Sequence, residues 1–256
     1  MPHTVVQALS LEADDVQRIS ESYGSSKEWF KVQLAAVVAL GFVAILRLGE
    51  LLALRQEDVM VVFHNGVEAP ITSLRRIPRL KEIKGLFIHL RWRKASQSHD
   101  TWIPVACGLV IRLLMRQVFL LRRDGKTTGP LFTSRTRKGG RRSETNRLGR
   151  TAAVEAMRKA LQEVCGMTEA QSKLYKGHSL RVGGSNHMRK LGLDDEVHRL
   201  MGGWVSLTSS VKYYQLSEDE QLGMAETYAL QERMPPTEGG TRPIAIGAVQ
   251  HITIEG

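Results

Sequence analysis

The stretch that decides the fold runs from Lys176 to Gln215 and reads KGHSLRVGGSNHMRKLGLDDEVHRLMGGWVSLTSSVKYYQ. It holds residues that can carry chemistry, in the order His178, Arg181, Gly202-Gly203-Trp204 and Tyr213-Tyr214. A helix over residues 179–191 would bring His178 and Arg181 together at its start, because residues three apart are neighbours on a helix surface. An imidazole beside a guanidinium is suited to holding an oxyanion while a proton moves. A nearby phenol would supply a nucleophile.

These motifs resemble the catalytic segment of the tyrosine recombinases, the phage-integrase family. The matching residues are GHSLRVGG at 177–184, GGW at 202–204, and Tyr213 nine residues after the tryptophan. The Gly-Gly-Trp is similar to that of Cre-like members, whereas most of the family has Leu-Gly-His. Each motif is common by chance, but together in this order and spacing they are specific. The resemblance implies a mainly α-helical α+β fold with a small antiparallel sheet, the tyrosine recombinase catalytic-domain fold.

Composition favours a polyanionic partner. The 256 residues include 36 Lys and Arg against 26 Asp and Glu, which gives a formal net charge of +10. A positive field of this size attracts phosphate groups and releases condensed counterions on binding. Double-stranded DNA is the partner that the resemblance implies, although composition alone is also compatible with other basic proteins.

Cysteine usage and hydropathy bear on the compartment. Cys107 and Cys165 are the only cysteines and lie far apart, as expected for reduced thiols in a cytosolic or nuclear protein. The apolar run at residues 30–46 is interrupted by Lys31 and Gln33 and is short for a membrane span. We therefore expect a buried helix there and no membrane association.

A second motif follows that helix, which we expect over about residues 27–46. Residues 47–54 read RLGELLAL and resemble the first arginine segment of the family. In that family the arginine grips the scissile phosphate and the acid orients its surroundings, which implies these roles for Arg47 and Glu50. The alternative is an ordinary arginine–glutamate pair on a helix surface.

Strand-like patterns appear at residues 59–63, at residues 86–92, where they alternate, and at residues 101–105, and they predict a small antiparallel sheet. Lys94 follows the second of these strands. The resemblance implies a hairpin there whose lysine protonates the departing 5′ oxygen. Two nearby arginines compete for this assignment, and a plain surface lysine is the alternative.

The densest positive charge lies in a polar segment at residues 134–150, which has Glu144 as its single acid. Its cations are Arg135, Arg137, Lys138, Arg141, Arg142, Arg147 and Arg150. We predict contacts with DNA backbone phosphates, with the first five of these residues as candidates. A disordered solubilising loop is the alternative. An amphipathic helix is expected next, over residues 151–164.

Strand cleavage without metal or ATP needs a nucleophile that keeps the phosphoryl bond energy in a covalent adduct. The resemblance implies that Tyr213 is this nucleophile and forms a 3′-phosphotyrosine. Tyr213 is preferred to Tyr214 on spacing. Adjacent helical residues point about 100° apart, so only one of the two can face the phosphate. No cofactor and no metal site are expected.

The other roles follow from the same resemblance. Arg47 and Arg181 would clamp the non-bridging oxygens, which gain charge in the transition state. His178 would take or share the tyrosyl proton, because an ordinary imidazole titrates near neutral pH. Trp204 would support the site, since an indole donates one N–H and cannot exchange protons.

The resemblance covers residues 8–233. We therefore expect a catalytic domain at residues 1–233, a linker and mobile tail at 234–256, and no N-terminal core-binding domain. The last helix, at about residues 217–233, either docks into a neighbouring protomer on DNA or folds back on its own core.

Three functions are compatible with the sequence. The first is a site-specific recombinase or integrase of a mobile element. The second is a type IB topoisomerase-like nicking and closing enzyme, against which the GHSLRVGG and GGW motifs argue. The third is a domesticated DNA-binding protein that has lost strand exchange, against which the complete residue set argues.

Overall fold

The computed structural model describes residues 9–91, 101–136 and 140–192. The α-helices in this part of the chain are α1 (Ala13–Gly24), α2 (Trp29–Val43), α3 (Leu48–Leu51), α4 (Gly108–Arg123), α5 (Arg150–Cys165), α6 (Glu169–Lys173) and α7 (Ser179–Lys190). The strands are β1 (Val59–Phe63), β2 (Glu68–Pro70), β3 (Ile83–Leu90), β4 (Thr101–Val105), β5 (Thr133–Arg135) and β6 (Arg142–Arg147). Three short 3-10 turns are Gln56–Asp58, Ile71–Ser73 and Leu80–Glu82.

Helix α2 is the centre of the core. All residues from Val32 to Val43 are buried, and helices α1, α4, α5 and α7 pack around them. A helix that is apolar on every side must be covered on every side to be stable. The sequence predicts one inward face for this helix, whereas the structure buries every residue after its first three. The helix also begins later and ends earlier than expected, at Trp29 and Val43.

The larger sheet has four antiparallel strands in the order β2-β1-β3-β4. The core face carries Val61, Leu86, Ile88 and Ile103, each almost fully buried. The predicted strands at 59–63 and 101–105 are confirmed, and the middle strand runs over residues 83–90 instead of 86–92. The short edge strand β2 was not predicted, because three residues are too few to show alternation.

The expected polar loop at residues 134–150 is a two-stranded antiparallel hairpin, formed by β5 and β6. Leu131 and Phe132 lead into it and are fully buried. The Gln33 side chain anchors its base, since it accepts a hydrogen bond from the Thr133 N–H at 2.8 Å and donates to the Thr133 carbonyl oxygen at 2.9 Å. The density of charged residues hides this hairpin from a pattern-based prediction.

Two further expectations concern the cysteines and the membrane. Cys107 is buried and Cys165 is half-buried, and both are free thiols. Burial raises the pKa of Cys165 to about 12, so this thiol stays protonated at neutral pH. No described helix combines the length and apolar character needed to cross a membrane.

Candidate functional site

A break after α2 brings Arg47 to the surface. Ile45 has a φ of 50°, a left-handed conformation that is rare for a β-branched residue. The chain turns sharply there, and α3 begins at Leu48 with Arg47 as its N-terminal cap. The continuous helix to residue 46 that the sequence predicts is therefore interrupted. The interruption places Arg47 at the edge of the core.

Arg47 and Glu50 form a tight pair. The Arg47 Nη1 atom donates to Glu50 Oε1 at 2.8 Å, and the Arg47 backbone N–H donates to Oε2 at 3.0 Å. The Glu50 side chain is 3% exposed, whereas that of Arg47 is 25% exposed. A buried carboxylate must be paired, so Glu50 holds the arginine in place. A guanidinium has five N–H donors, and the exposed part of Arg47 remains accessible to an anion.

Arg181 reaches the same turn from α7. Its side chain is buried, and Nη1 donates to the Ile45 carbonyl oxygen at 2.8 Å. Ile45 is two residues from Arg47, so their Cα atoms are at most about 7 Å apart. A hydrogen bond from a charged donor contributes about 1.5–3 kcal/mol. This is similar to the roughly 1–3 kcal/mol that an unfavourable backbone conformation costs. Arg181 thus stabilises the turn that presents Arg47.

Two glycines let α7 approach closely enough for this contact. A Cβ atom on Gly183 would overlap the carbonyl oxygen of Leu11, and one on Gly184 would overlap that of Phe42. The Leu11 backbone N–H also donates to the Ser179 carbonyl oxygen at 3.2 Å. The Gly-Gly of the GHSLRVGG motif is therefore a packing requirement. The spacing of the motif alone does not reveal this requirement.

His178 lies at the start of α7 and is exposed. Its carbonyl oxygen accepts the Val182 N–H at 2.9 Å. The Ser179 hydroxyl accepts the Lys176 N–H at 2.9 Å and closes the preceding turn. Gly177 in that turn packs on Leu48, since a Cβ atom there would lie 3.2 Å from Leu48 Cδ2. The structure thus places the residue before His178 against the residue that follows Arg47.

The first turns of α5 complete the support. Leu48, Val154, Gly177 and Leu180 meet around a small apolar gap between α2, α3, α5 and α7. The segments that carry Arg47, His178 and Arg181 therefore rest on one apolar base. The segment that carries Arg47 and the segment that carries His178 and Arg181 thus meet, although they are more than 130 residues apart in the sequence.

The arginines of the β5–β6 hairpin differ in their exposure to solvent. Arg135 lies with its Cζ atom 4.0 Å from the Phe30 ring centroid and is exposed, as is Arg141. Arg142 is buried, with its Cζ atom 4.3 Å from the Trp29 ring centroid and its Nε atom 2.9 Å from Asp124 Oδ2.

Burial lowers the pKa of Arg142 to about 10, and Asp124 opposes that shift. The expectation that Arg142 contacts DNA phosphates therefore does not fit its position. The physical reason is that its charge is already matched by Asp124 and its guanidinium is covered by Trp29.

Five of the predicted site residues lie outside the described part of the chain: Lys94, Arg137, Lys138, Trp204 and Tyr213. The last helix and the tail, residues 217–256, also lie outside it. Within the described ranges, no group of three or more His, Cys, Asp or Glu side chains is arranged to hold a metal ion.

The fold is the tyrosine recombinase fold, as predicted, with about half of the structure helical and small antiparallel sheets. The chain is similar to the XerH site-specific recombinase bound to difH substrate in a pre-cleavage complex. This match has a TM-score of 0.50 and 13% identity, and it covers 82% of this chain and 51% of that one.

Two further solved structures are similar. The XerH post-cleavage complex with palindromic difH substrate gives a TM-score of 0.49 at 13% identity, covering 88% of this chain and 54% of that one. The FLP recombinase–Holliday junction complex gives 0.48 at 16% identity, covering 83% and 49%. The chain spans about half the length of these proteins. No protein-family model and no curated protein matches the sequence. The finer likeness to Cre-like members stays a prediction.

Proposed function

We propose that this protein is a site-specific DNA recombinase that cleaves and rejoins strands through a 3′-phosphotyrosine, without metal or ATP. One observation carries the proposal. Arg181 hydrogen-bonds to the turn that presents Arg47, although the contact joins residues 136 positions apart in the sequence. His178 is exposed, and Gly177 before it packs on Leu48, the residue that follows Arg47. A chain that only packs a core has no need to gather these cations around one surface turn.

The bound group in this proposal is a DNA phosphodiester. Arg47 has an exposed guanidinium that a buried carboxylate holds in place, so it is preorganised to receive an oxyanion. Arg181 is buried behind it and adds positive charge in a region of low dielectric constant, where charge acts more strongly. Both arginines favour the transition state, in which the non-bridging oxygens carry more negative charge.

The proposed reaction exchanges one P–O bond for another. The Tyr213 oxygen attacks the phosphorus atom, a P–O bond to Tyr213 forms, and the P–O5′ bond breaks. His178 accepts the tyrosyl proton, and Lys94 gives a proton to the departing 5′ oxygen. Attack by a 5′ hydroxyl on the phosphotyrosine reverses these steps and rejoins a strand. Trp204 supports the site.

The DNA contacts of the proposal lie on the β5–β6 hairpin. Arg135 and Arg141 are the described, exposed candidates, and Arg137 and Lys138 are predicted between them. Phosphate contacts of this kind position a protein on a duplex without reading its sequence. We further propose that copies of the chain associate on DNA through the helix predicted at residues 217–233, and that the protein works in the cytoplasm or nucleus.

The test is covalent capture of a pool of nicked duplexes with randomised sequence around the nick. The nick lets the short strand diffuse away after cleavage, so the adduct accumulates and is seen on a denaturing gel. We expect an adduct with the wild-type protein and with Tyr214→Phe, but none with Tyr213→Phe, which should still bind DNA. An adduct kept by Tyr213→Phe and lost by Tyr214→Phe would contradict the assignment of the nucleophile.

Two other outcomes of this experiment have clear meanings. Binding without any adduct would identify a DNA-binding protein that has lost strand cleavage. Adduct formation on every sequence, together with relaxation of an unrelated plasmid, would identify a nicking and closing enzyme. Recovery of one sequence from the captured pool would identify the recombination site.

A further inference from the structure

Arg150 belongs to the basic segment at residues 134–150, but it lies outside the β5–β6 hairpin. Strand β6 ends at Arg147, and Arg150 is the first residue of α5. Its guanidinium lies against Gly49, where a Cβ atom would overlap Nη2 and would lie 2.9 Å from Cζ. Gly49 stands between Arg47 and Glu50 in the turn that forms the candidate site. Arg150 is therefore part of that site in space.

The charge around Gly49 is not balanced within the protein. Within the described residues, the Arg150 side chain makes no hydrogen bond or ion pair, and it is exposed. Glu50 is buried and pairs with Arg47. Gly49 is two residues from Arg47, so the Arg150 guanidinium lies against the backbone of the segment that carries Arg47. Arg150 thus adds a positive charge, without an acidic partner among the described residues, to the segment of the Arg47–Glu50 pair.

We propose that Arg150 is a second phosphate-binding residue, which holds one DNA phosphodiester together with Arg47. The identity of this anion rests on the proposed function. A phosphodiester has two non-bridging oxygens, and guanidinium groups match such oxygens with paired, charge-assisted hydrogen bonds. Its negative charge would also balance the charge of Arg150, which has no ion-pair partner among the described residues.

Gly49 has a specific role in this arrangement. Any side chain at this position would occupy the space of the Arg150 guanidinium. The guanidinium is the end of a flexible side chain, so it would be displaced without disruption of the fold. Gly49→Ala thus moves the charge of Arg150 without removing it. Gly49→Ala therefore tests the position of the Arg150 charge, whereas Arg150→Gln tests its presence.

The experiment is the salt dependence of binding to a 30-base-pair duplex of random sequence. We expect Arg150→Gln to lower the slope of log K against log salt by up to about 0.9, the value for one lost phosphate contact, because Arg47 still reaches the shared phosphate. Gly49→Ala should lower it in the same direction with the net charge unchanged. Arg112→Gln is the matched control, because Arg112 is an exposed helical arginine on α4. It should keep the wild-type slope.

The proposal is overturned if Arg150→Gln keeps the wild-type slope, or if Arg112→Gln lowers the slope equally, since net charge alone would then explain the change. Melting curves establish that each variant is folded. If Arg150→Gln does not fold, Gly49→Ala decides the question: a lower slope supports the proposal, and a wild-type slope overturns it.

This outcome is separable from that of the proposed function. A wild-type protein that binds DNA but forms no adduct refutes the recombinase proposal, and the slopes still report on Arg150. Conversely, adduct formation by the wild type with an unchanged slope for Arg150→Gln refutes only the role of Arg150.

Discussion

Arginines are used in opposite ways in two regions of this molecule, the turn between α2 and α3 and the β5–β6 hairpin. At the turn, the carboxylate of Glu50 is buried and its partner Arg47 stays partly exposed. In the hairpin, Arg142 is buried and its partner Asp124 is the more exposed of the two. Glu50 holds the guanidinium of Arg47 where a ligand can reach it, whereas the guanidinium of Arg142 is covered by Trp29 and paired with Asp124. Local charge density does not distinguish the two cases.

The two regions also differ in how they are held. The turn is fixed by α7. The backbone of α7 contacts the backbone of Leu11 at Gly183 and the backbone of α2 at Gly184. The hairpin is fixed by side chains, namely the ring of Trp29 over Arg142 and the amide of Gln33 at its base. Backbone contacts cannot yield without movement of a helix. Side-chain contacts can adjust, so we expect substitutions to cost more in the first region.

The largest expected effect is that of Gly184→Ala. The new methyl group would overlap the Phe42 carbonyl oxygen, which can move only if α7 moves. We expect a loss of about 3 kcal/mol in the free energy of unfolding, measured by urea denaturation. The control is Gly149→Ala, where the methyl group meets nothing within 4 Å. Its cost should stay below about 1 kcal/mol. Equal costs for both would contradict the close packing of α7.

A medium effect is expected from two neighbouring arginines of the hairpin. Arg142→Gln should lower the free energy of unfolding by about 1–2 kcal/mol, because it removes an ion pair and a cation–π contact. It should leave the salt dependence of DNA binding unchanged. Arg141→Gln should do the reverse, with wild-type stability and a salt slope lower by about 0.9. If the two variants exchanged these effects, our contrast between buried and exposed arginines would be wrong.

The smallest effect concerns pH. His187 on α7 is half-buried against Phe42. Burial lowers the pKa of His187 below the ordinary value of 6.5. The positive charge of Lys190 lowers the pKa further, whereas the negative charges of Glu12 and Asp14 raise it. The unfolded chain then binds more protons between these two pKa values, so stability is full above pH 6.5 and falls as pH decreases toward the folded pKa.

Unfolding measured at pH 7.5 and pH 5 checks this expectation. The loss of stability between the two should be smaller in His187→Gln than in the wild type. An equal loss in both proteins would show that other groups are responsible. Arg142 in the hairpin does not contribute to this pH dependence, because its pKa of about 10 lies far above the range between pH 5 and pH 7.5.

The fold was predictable because it follows from local patterns and from motif order. The helix considered over residues 179–191 matches α7 almost to the residue, and the strands predicted at residues 59–63 and 101–105 are β1 and β4. The placement of single side chains was not predictable in the same way. The burial of Arg142 depends on Trp29, more than 100 residues away, and the position of Arg150 depends on Gly49. Contacts between distant segments leave no local signal in one sequence.

The central claim is that Arg47 belongs to a phosphate-binding catalytic site and that Arg142 does not. Covalent capture of the randomised nicked duplexes by Arg47→Gln and Arg142→Gln tests it most directly, since both substitutions remove one positive charge. The backbone N–H of residue 47 can still donate to Glu50 Oε2, which favours a folded variant. We predict that Arg47→Gln forms no adduct and that Arg142→Gln forms adduct at the wild-type level per folded molecule. A folded Arg47→Gln variant with wild-type adduct formation would contradict the account.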